Sequence, residues 1–329
     1  MPLARRHKLL IVLACLGGLA LMLVPRVIRS TIPQTLGITF SWRFAGSFNY
    51  PWKDAYTLLL DEVGVKNFRL PVYWDDLEPN DNQFDFSKTD WQVDEAEKRG
   101  AKVILAIGRK VPRWPECFIP DWAKNLDDET RDQQERDMVQ AVVSRYSNRS
   151  NLIAWQVENE PFFPFGDCPS YSINTLRQEI NLVRKIDPSH EIIITQSGEL
   201  APWFVPALFA DKIGISIYRT VWNKSIGYVT WPLPAEWYFF RTQLFQHLRK
   251  PFFVSELQSE PWFYRPISLT SLDEQKRLFP PYGIEQALLH TKIAGFSEVY
   301  LWGAEWWYWM KTQGHSEYIE AAAKIFKQE

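Results

Sequence analysis

The 329-residue chain holds only three cysteines and 15 glycines. Three cysteines are too few for a disulfide-built scaffold, and no Cys/His set has zinc-site spacing. Sparse glycine excludes collagen-like and low-complexity sequence. An excess of charge of one sign is also missing: 37 Lys and Arg face 39 Asp and Glu, a formal net charge of −2. That balance gives no electrostatic case for nucleic acid. With 46% hydrophobic residues and mixed charge, the composition argues against disorder. No Gly-x-Gly-x-x-Gly follows the first strand candidate, and no Ser/Gly linker or composition shift divides the chain. No cofactor and no metal are therefore expected. What is abundant is aromatic surface: 16 Trp, 13 Tyr and 21 Phe, 15% of all residues.

The N-terminus stands apart. Arg5-Arg6-His7-Lys8 precede an uncharged, mostly apolar run from Leu9 to Val24, followed by Pro25 and Arg26. A basic segment before an apolar one is an export signal. No small-x-small cleavage site follows Val24, so an uncleaved anchor is expected, reaching residues 9–28 if Arg26 snorkels. A cleaved signal is the alternative, giving a secreted protein. Either way the basic end stays in the cytoplasm and the remainder is extracytoplasmic. The expected division is residues 1–30 as signal or anchor and spacer, and 31–329 as one domain. Cys117 and Cys168 are then the only disulfide candidates in the exported part.

Eight apolar, strand-like runs recur along that domain: Leu36–Ser41, Asn67–Val72, Lys102–Ile107, Leu152–Val157, Glu191–Thr195, Lys212–Ile217, Phe252–Ser255 and Glu298–Trp302. Several are continuous, such as Val103-Ile104-Leu105-Ala106-Ile107, as strands covered on both faces require. Helix-period faces alternate with them: Tyr56/Leu59/Leu60/Val63, Val139/Val142/Val143/Tyr146, Ile173/Leu176/Ile180/Val183, Trp237/Phe240/Leu244/Leu248 and Ile319/Ala322/Ala323/Phe326. Gly64 and Gly100 stand where helix C-caps are expected. Eight alternations predict an α/β fold closed as a (β/α)8 barrel, whose chemistry belongs at the C-terminal strand ends.

Those ends carry acids. The fourth strand runs into Glu158-Asn159-Glu160-Pro161, and Pro161 is expected to hold Glu160 extended at the rim. The seventh reads Phe252-Phe253-Val254-Ser255-Glu256. Arg69, inside the apolar second strand, demands a buried partner, which a mouth carboxylate would supply. Paired carboxyls across one mouth are the equipment of glycoside hydrolysis, one protonating the leaving oxygen and the other attacking the sugar or activating water. Glu158 reads as a buried partner for Arg69 or Arg109, and Glu260 as part of the next loop. Glu199 and Glu305 are candidate sugar ligands, with rim structure as the alternative.

These residues resemble clan A of retaining (β/α)8 glycoside hydrolases, which includes cellulase-like and β-galactosidase-like families. The resemblance spans about residues 36–329. It implies Glu160 as acid/base, Glu256 as nucleophile, and Asn159 on the sugar 2-hydroxyl. Arg69, Tyr218 and Trp302 match the clan's residues on strands two, six and eight. Arg69-Leu-Pro-Val-Tyr-Trp74 through Phe84-Asp85-Phe86 resembles its second βα loop. The chain departs from cellulase-like members at Ser216-Ile217-Tyr218, where many have His-x-Tyr, and at Gly108-Arg109, where a His is common.

Trp42, Trp74, Trp114, Trp262, Trp302, Trp306 and Trp307 fall on or after strand ends, where their faces could stack on sugar. Trp231, Trp237 and Trp309 read as packing or outer surface. The expected partners are a carbohydrate and, through residues 9–28, a lipid bilayer; a monomer is expected. A membrane-anchored transglycosidase and a non-catalytic carbohydrate-binding barrel are the alternatives.

Overall fold

The computed structural model describes residues 29, 31, 33–169 and 171–327. The expected anchor, residues 9–28, lies outside them. Among the described residues, no helix is long and apolar enough to cross a membrane.

All eight apolar runs are strands: β1 (Thr35–Thr39), β2 (Asn67–Pro71), β3 (Lys102–Ile107), β4 (Leu152–Val157), β5 (Glu191–Ser197), β6 (Lys212–Ile217), β9 (Phe252–Gln258) and β10 (Glu298–Trp302). They close into one barrel in the order β1-β2-β3-β4-β5-β6-β9-β10. Every barrel pairing is parallel. The seventh and eighth strands of the barrel are thus β9 and β10, because a hairpin that the apolar pattern did not announce intervenes. Its strands, β7 (Thr220–Asn223) and β8 (Gly227–Thr230), pair antiparallel beyond the end of β6.

The barrel interior is layered. Ile104, Ala154, Ile193, Phe253 and Tyr300 form a separate apolar plug. Two residues further along their strands, Gln156, Thr195, Ser255 and Trp302 turn to the same inner side, because side chains repeat every second residue. Arg69, Thr39 and Ser216 join this polar layer, which lies nearer the C-terminal end. Gly214 serves the same packing: a Cβ there would stand 2.8 Å from Thr195 and 2.9 Å from Ser255.

Outside, helices cover the sheet much as their periodicity predicts. Val139, Val142, Val143 and Tyr146 are all buried on helix Asp128–Tyr146. Tyr56 is buried on helix Trp52–Leu58, and Leu59, Leu60 and Val63 on the π-helical turn that continues it. Gly64 and Gly100 both take positive φ, as C-cap residues do. Two faces differ from expectation. Ile173 is exposed at the start of helix Ile173–Ile186. On helix Ala235–Gln243 the buried residues are Ala235 and Tyr238, while Phe240 faces solvent, as does Leu244 just beyond the helix. Tyr238 sets that register by reaching inward to hydrogen-bond Glu199.

Cys117 and Cys168 are bonded, with their Cα atoms 5.2 Å apart. The bridge joins the loop after β3 to the loop after β4. Thiol titration of the denatured, unreduced full chain should therefore find one reactive group, Cys15, and three after reduction. Three thiols before reduction would contradict the bridge.

Candidate active site

The chain turns sharply where β4 ends. Glu158 and Glu160 both take left-handed backbone, φ 61° and 47°. Glu160 is therefore not extended, as its position before proline suggested. Loop hydrogen bonds override the local preference: the Glu158 N–H donates to Ile107 O at 2.8 Å and the Asn159 N–H to Lys110 O at 2.6 Å. The Glu160 N–H donates to the Thr195 hydroxyl at 3.0 Å. Such conformations cost about 1–3 kcal/mol each and persist only when surroundings dictate them. Glu158 turns behind the barrel and accepts the backbone N–H groups of Arg109 and Lys110 at 2.8 and 2.9 Å. Its association is thus with Arg109's segment and not with Arg69. Gly108, at φ 120°, lets that carboxyl pass, since a Cβ there would overlap it.

Arg69 is fully buried and organises the mouth. Its Nη1 donates to Glu256 Oε1 at 2.9 Å, its Nη2 to Asn159 Oδ1 at 2.7 Å and its Nε to Gln156 Oε1 at 2.6 Å. The second oxygen of Glu256 accepts the Tyr218 hydroxyl at 2.8 Å. Glu160 Oε1 accepts from the Ser216 hydroxyl at 2.6 Å. Ser216 is the strand neighbour of Glu256 in the β6–β9 register. Two bridges, one through Arg69 and Asn159 and one through Ser216, therefore hold Glu160 and Glu256 at one mouth.

Their environments differ. Burial, reinforced by the charge of Glu256, pushes the Glu160 carboxyl up to about 8, against a smaller downward pull from Ser216 and Lys110. Glu256 is instead bound by a guanidinium on one oxygen and a phenol on the other. The Tyr218 hydroxyl is held well above the usual tyrosine range by burial and then by Glu256.

Sequence reasoning missed a third acid, Glu116. It is buried, 3.5 Å from Asn159 Nδ2 and 3.5 Å from the Lys110 ammonium. Burial holds its carboxyl well above the usual range; Lys110 opposes this, while Glu160 and Glu256 add to it. It stands nine residues beyond β3, so no strand end marked it; its neighbour Cys117 was the available signal. Arg113 was missed as well. It is buried 4.0 Å over the Trp302 ring and pairs with both Glu260 and Glu305. This changes the reading of Glu305, which is fully buried with one oxygen on the Ser41 N–H and the other on Arg113. It fastens the loop, sealed from solvent. Glu199 is held through one oxygen, Oε1, which accepts both the Tyr238 hydroxyl and the Tyr218 N–H.

The tryptophans divide. Trp74, Trp306 and Trp307 are fully buried core residues, Trp74 with its indole N–H on Glu78 at 2.8 Å. They are not mouth platforms; their positions after strand ends lie on short helices that pack inward. Trp114 is 65% exposed, and from it a wall of rings descends to the acids. Centroid separations are 5.7 Å to Phe165, then 5.9 Å to Trp262, 5.5 Å to Tyr218 and 6.1 Å to Trp302.

A parallel eight-stranded barrel with acids ending its fourth and seventh strands defines the class as a glycosidase-type (β/α)8 barrel. Residues 35–237 match the model of the cellulase family, glycosyl hydrolase family 5. The chain belongs to that family. It is 24% identical over 172 residues to the β-galactosidase BgaA of Clostridium cellulovorans, covering 46% of this chain and 26% of that protein. It is 25% identical over 163 residues to mannan endo-1,4-β-mannosidase A of Podospora anserina, covering 46% and 42%. The chain thus spans less than half the length of these curated relatives. A GH5_18 structure from Bifidobacterium longum subsp. longum superposes with TM-score 0.62 at 12% identity, covering 90% of this chain and 79% of that one. A β-galactosidase from Marinomonas ef1 gives 0.59 at 11%, covering 89% and 59%. At such identity these two show the fold alone.

Arg69→Met would leave Glu256 and Asn159 without their buried cation. It should lower stability in urea denaturation by about 3–5 kcal/mol. A loss under about 1 kcal/mol would contradict the central place given to this residue.

Proposed function

We propose that the chain is a retaining β-glycoside hydrolase acting on an extracytoplasmic oligo- or polysaccharide, with Glu256 as nucleophile and Glu160 as acid/base. The observation that carries this reading is the contrast between the two acids at one mouth. Glu256 is bound by Arg69 and Tyr218, while Glu160 is pushed up to about 8. An attacking carboxylate must be ionised and a general acid protonated, and environment alone separates the two roles.

In the first step a Glu256 oxygen bonds to the anomeric carbon while that carbon's bond to the leaving oxygen breaks and Glu160 gives that oxygen its proton. In the second step water attacks the same carbon, Glu160 takes a proton from it, and the Glu256–sugar bond breaks. Each step inverts the carbon, so the product retains configuration. Asn159, oriented by Arg69 and Thr195, gives one amide N–H to Glu116 and has the other for the sugar 2-hydroxyl. The ring wall from Trp302 to Trp114 supplies faces for sugar C–H surfaces. Glu116 is a third acid beside Asn159, placed to bind a hydroxyl. The β-linked substrates named for the Clostridium and Podospora relatives support a β-glycoside here.

The Cys117–Cys168 bond supports an oxidising compartment, in keeping with an anchor over residues 9–28 that leaves the barrel outside the cytoplasm. Transfer to an acceptor sugar instead of water uses the same residues.

With an aryl β-glycoside that the enzyme cleaves, kcat/KM should fall tenfold per pH unit above about 8, where Glu160 loses the proton the first step needs. Glu160→Gln should remove that limb and, with poor leaving groups, lower kcat by roughly 10²–10⁴. Glu256→Gln should be inactive. Wild-type rates in both variants would refute the assignment.

A further inference from the structure

A buried carboxyl is ordinarily matched by donors, and one that is not calls for an explanation. Glu116 is such a group. It keeps 6% exposure, the same as Glu160 and close to the 4% of Glu256, whereas Glu158 and Glu305 are sealed at 0%. Its Oε1 takes one Asn159 N–H, and only at 3.5 Å. Among the described residues its Oε2 accepts no hydrogen bond. The Lys110 ammonium lies 3.5 Å from that oxygen, but it already donates to Glu160 O at 3.0 Å and to Phe163 O at 2.8 Å. Glu260 Oε2 is unmatched as well, but that acid is clamped by Arg113 and not placed against Asn159.

The backbone holds Glu116 where it is. Its φ is 68°, a left-handed conformation that suits glycine. Its N–H donates to Arg113 O at 2.7 Å, its carbonyl accepts the Val111 N–H at 2.9 Å, and the next residue is in the disulfide. Gly166, in the loop after β4, packs closely on it: a Cβ there would stand 2.9 Å from the Glu116 Cβ. The chain thus keeps a charged side chain in a conformation that a glycine would adopt more easily. Such conformations persist where the surroundings dictate them, and they concentrate at ligand sites.

Contacts also fix the order of groups at the mouth. Arg69 joins Glu256 at 2.9 Å to Asn159 at 2.7 Å, and Asn159 in turn gives its amide to Glu116. A pyranose presents its anomeric carbon, then the 2-hydroxyl, then the 3-hydroxyl in the same order round the ring. With the anomeric carbon against Glu256 and the 2-hydroxyl on Asn159, the next hydroxyl falls at Glu116. In either charge state a carboxyl has an acceptor for it.

We infer that Glu116 accepts the 3-hydroxyl of the sugar whose bond is broken, and that the substrates are β-glycosides in which this hydroxyl is free. The inference rests on the roles given above to Glu256 and Asn159, and deepens them. A chain joined through oxygen 3 of the reacting sugar is excluded, so internal bonds of a 1,3-linked glycan are not cut. Chains joined through other oxygens are not excluded by this contact.

The test uses the full chain and an aryl β-glycoside that it cleaves, together with the 2-deoxy and 3-deoxy forms of that glycoside. Sites that hydrogen-bond a substrate hydroxyl reject the analogue lacking it, so kcat/KM of the wild type should fall roughly tenfold or more for the 3-deoxy form. Glu116→Gly suits the left-handed backbone. It should lose about tenfold or more on the parent glycoside and cleave the parent and the 3-deoxy form at rates within about threefold of each other. Glu116→Gln, which keeps the shape and an acceptor oxygen, should discriminate to an intermediate degree. A merely structural role would lower both rates and leave their ratio unchanged, and that result would overturn the inference. So would a wild type that cleaves the 3-deoxy form as fast as the parent, which needs no variant to fold. Discrimination lost at position 2 and kept at position 3 would overturn it too, as would release of internal oligosaccharides from a β-1,3-glucan. In each of these cases the assignment of Glu160 and Glu256 stands. A wild type that cleaves no β-glycoside would overturn both.

Discussion

One buried guanidinium governs the mouth of this barrel. Arg69 is the positive charge that Glu256 and Asn159 share, and its Nε also fixes Gln156, one layer above the apolar plug. A cation in that position is costly unless every donor finds an acceptor. The acceptors come from β1, β4 and β9, through Thr39, Gln156 and Ser255 O, and from the chain beyond β4 through Asn159. The demand for satisfaction therefore draws three walls of the barrel into one arrangement, which also defines the reaction centre. Without the guanidinium, Glu256 would be a carboxyl in a dry mouth beside Glu116 and Glu160.

A second layer of constraint acts through the loop after β3. Arg113 stacks on Trp302 and clamps Glu260 and Glu305, tying the loop to the ends of β9 and β10. Four residues on, the disulfide ties the same loop to the segment after β4. Glu116 lies between these two fastenings, which hold it beside Asn159. The left-handed turns at Glu158 and Glu160 belong to the same system, since their backbone N–H groups end on β3 and on Thr195. Strain at the acids is thus sustained by packing at a distance from them.

Much of this was legible before any coordinates. The eight strands were plain because a two-sided parallel strand must be apolar throughout, as at Ile192-Ile193-Ile194. Arg69 betrayed itself as a charge where none should stand, and Glu160 and Glu256 by ending apolar runs. The rest was illegible for physical reasons. Glu116 and Arg113 come from a loop, and nothing local says which way a loop folds. The conformation of Glu160 depended on Lys110 and Thr195, distant partners that outweigh the following proline. Trp74, Trp306 and Trp307 stood at the right places in the chain but on helices that turn their rings into the core. Phe240 and Leu244 looked like a core-facing stripe; the hydroxyl of Tyr238 reaching for Glu199 rotated them to solvent.

The central claim is that Glu256 bonds covalently to the sugar. It is tested most directly by incubating the protein with a 2-deoxy-2-fluoro aryl β-glycoside of a sugar it turns over, then mapping the adduct by peptide mass spectrometry. The account predicts one stoichiometric glycosyl adduct, on Glu256. An adduct on Glu116, Glu160 or Glu260 would contradict it, as would continued turnover of the normal substrate with no adduct formed.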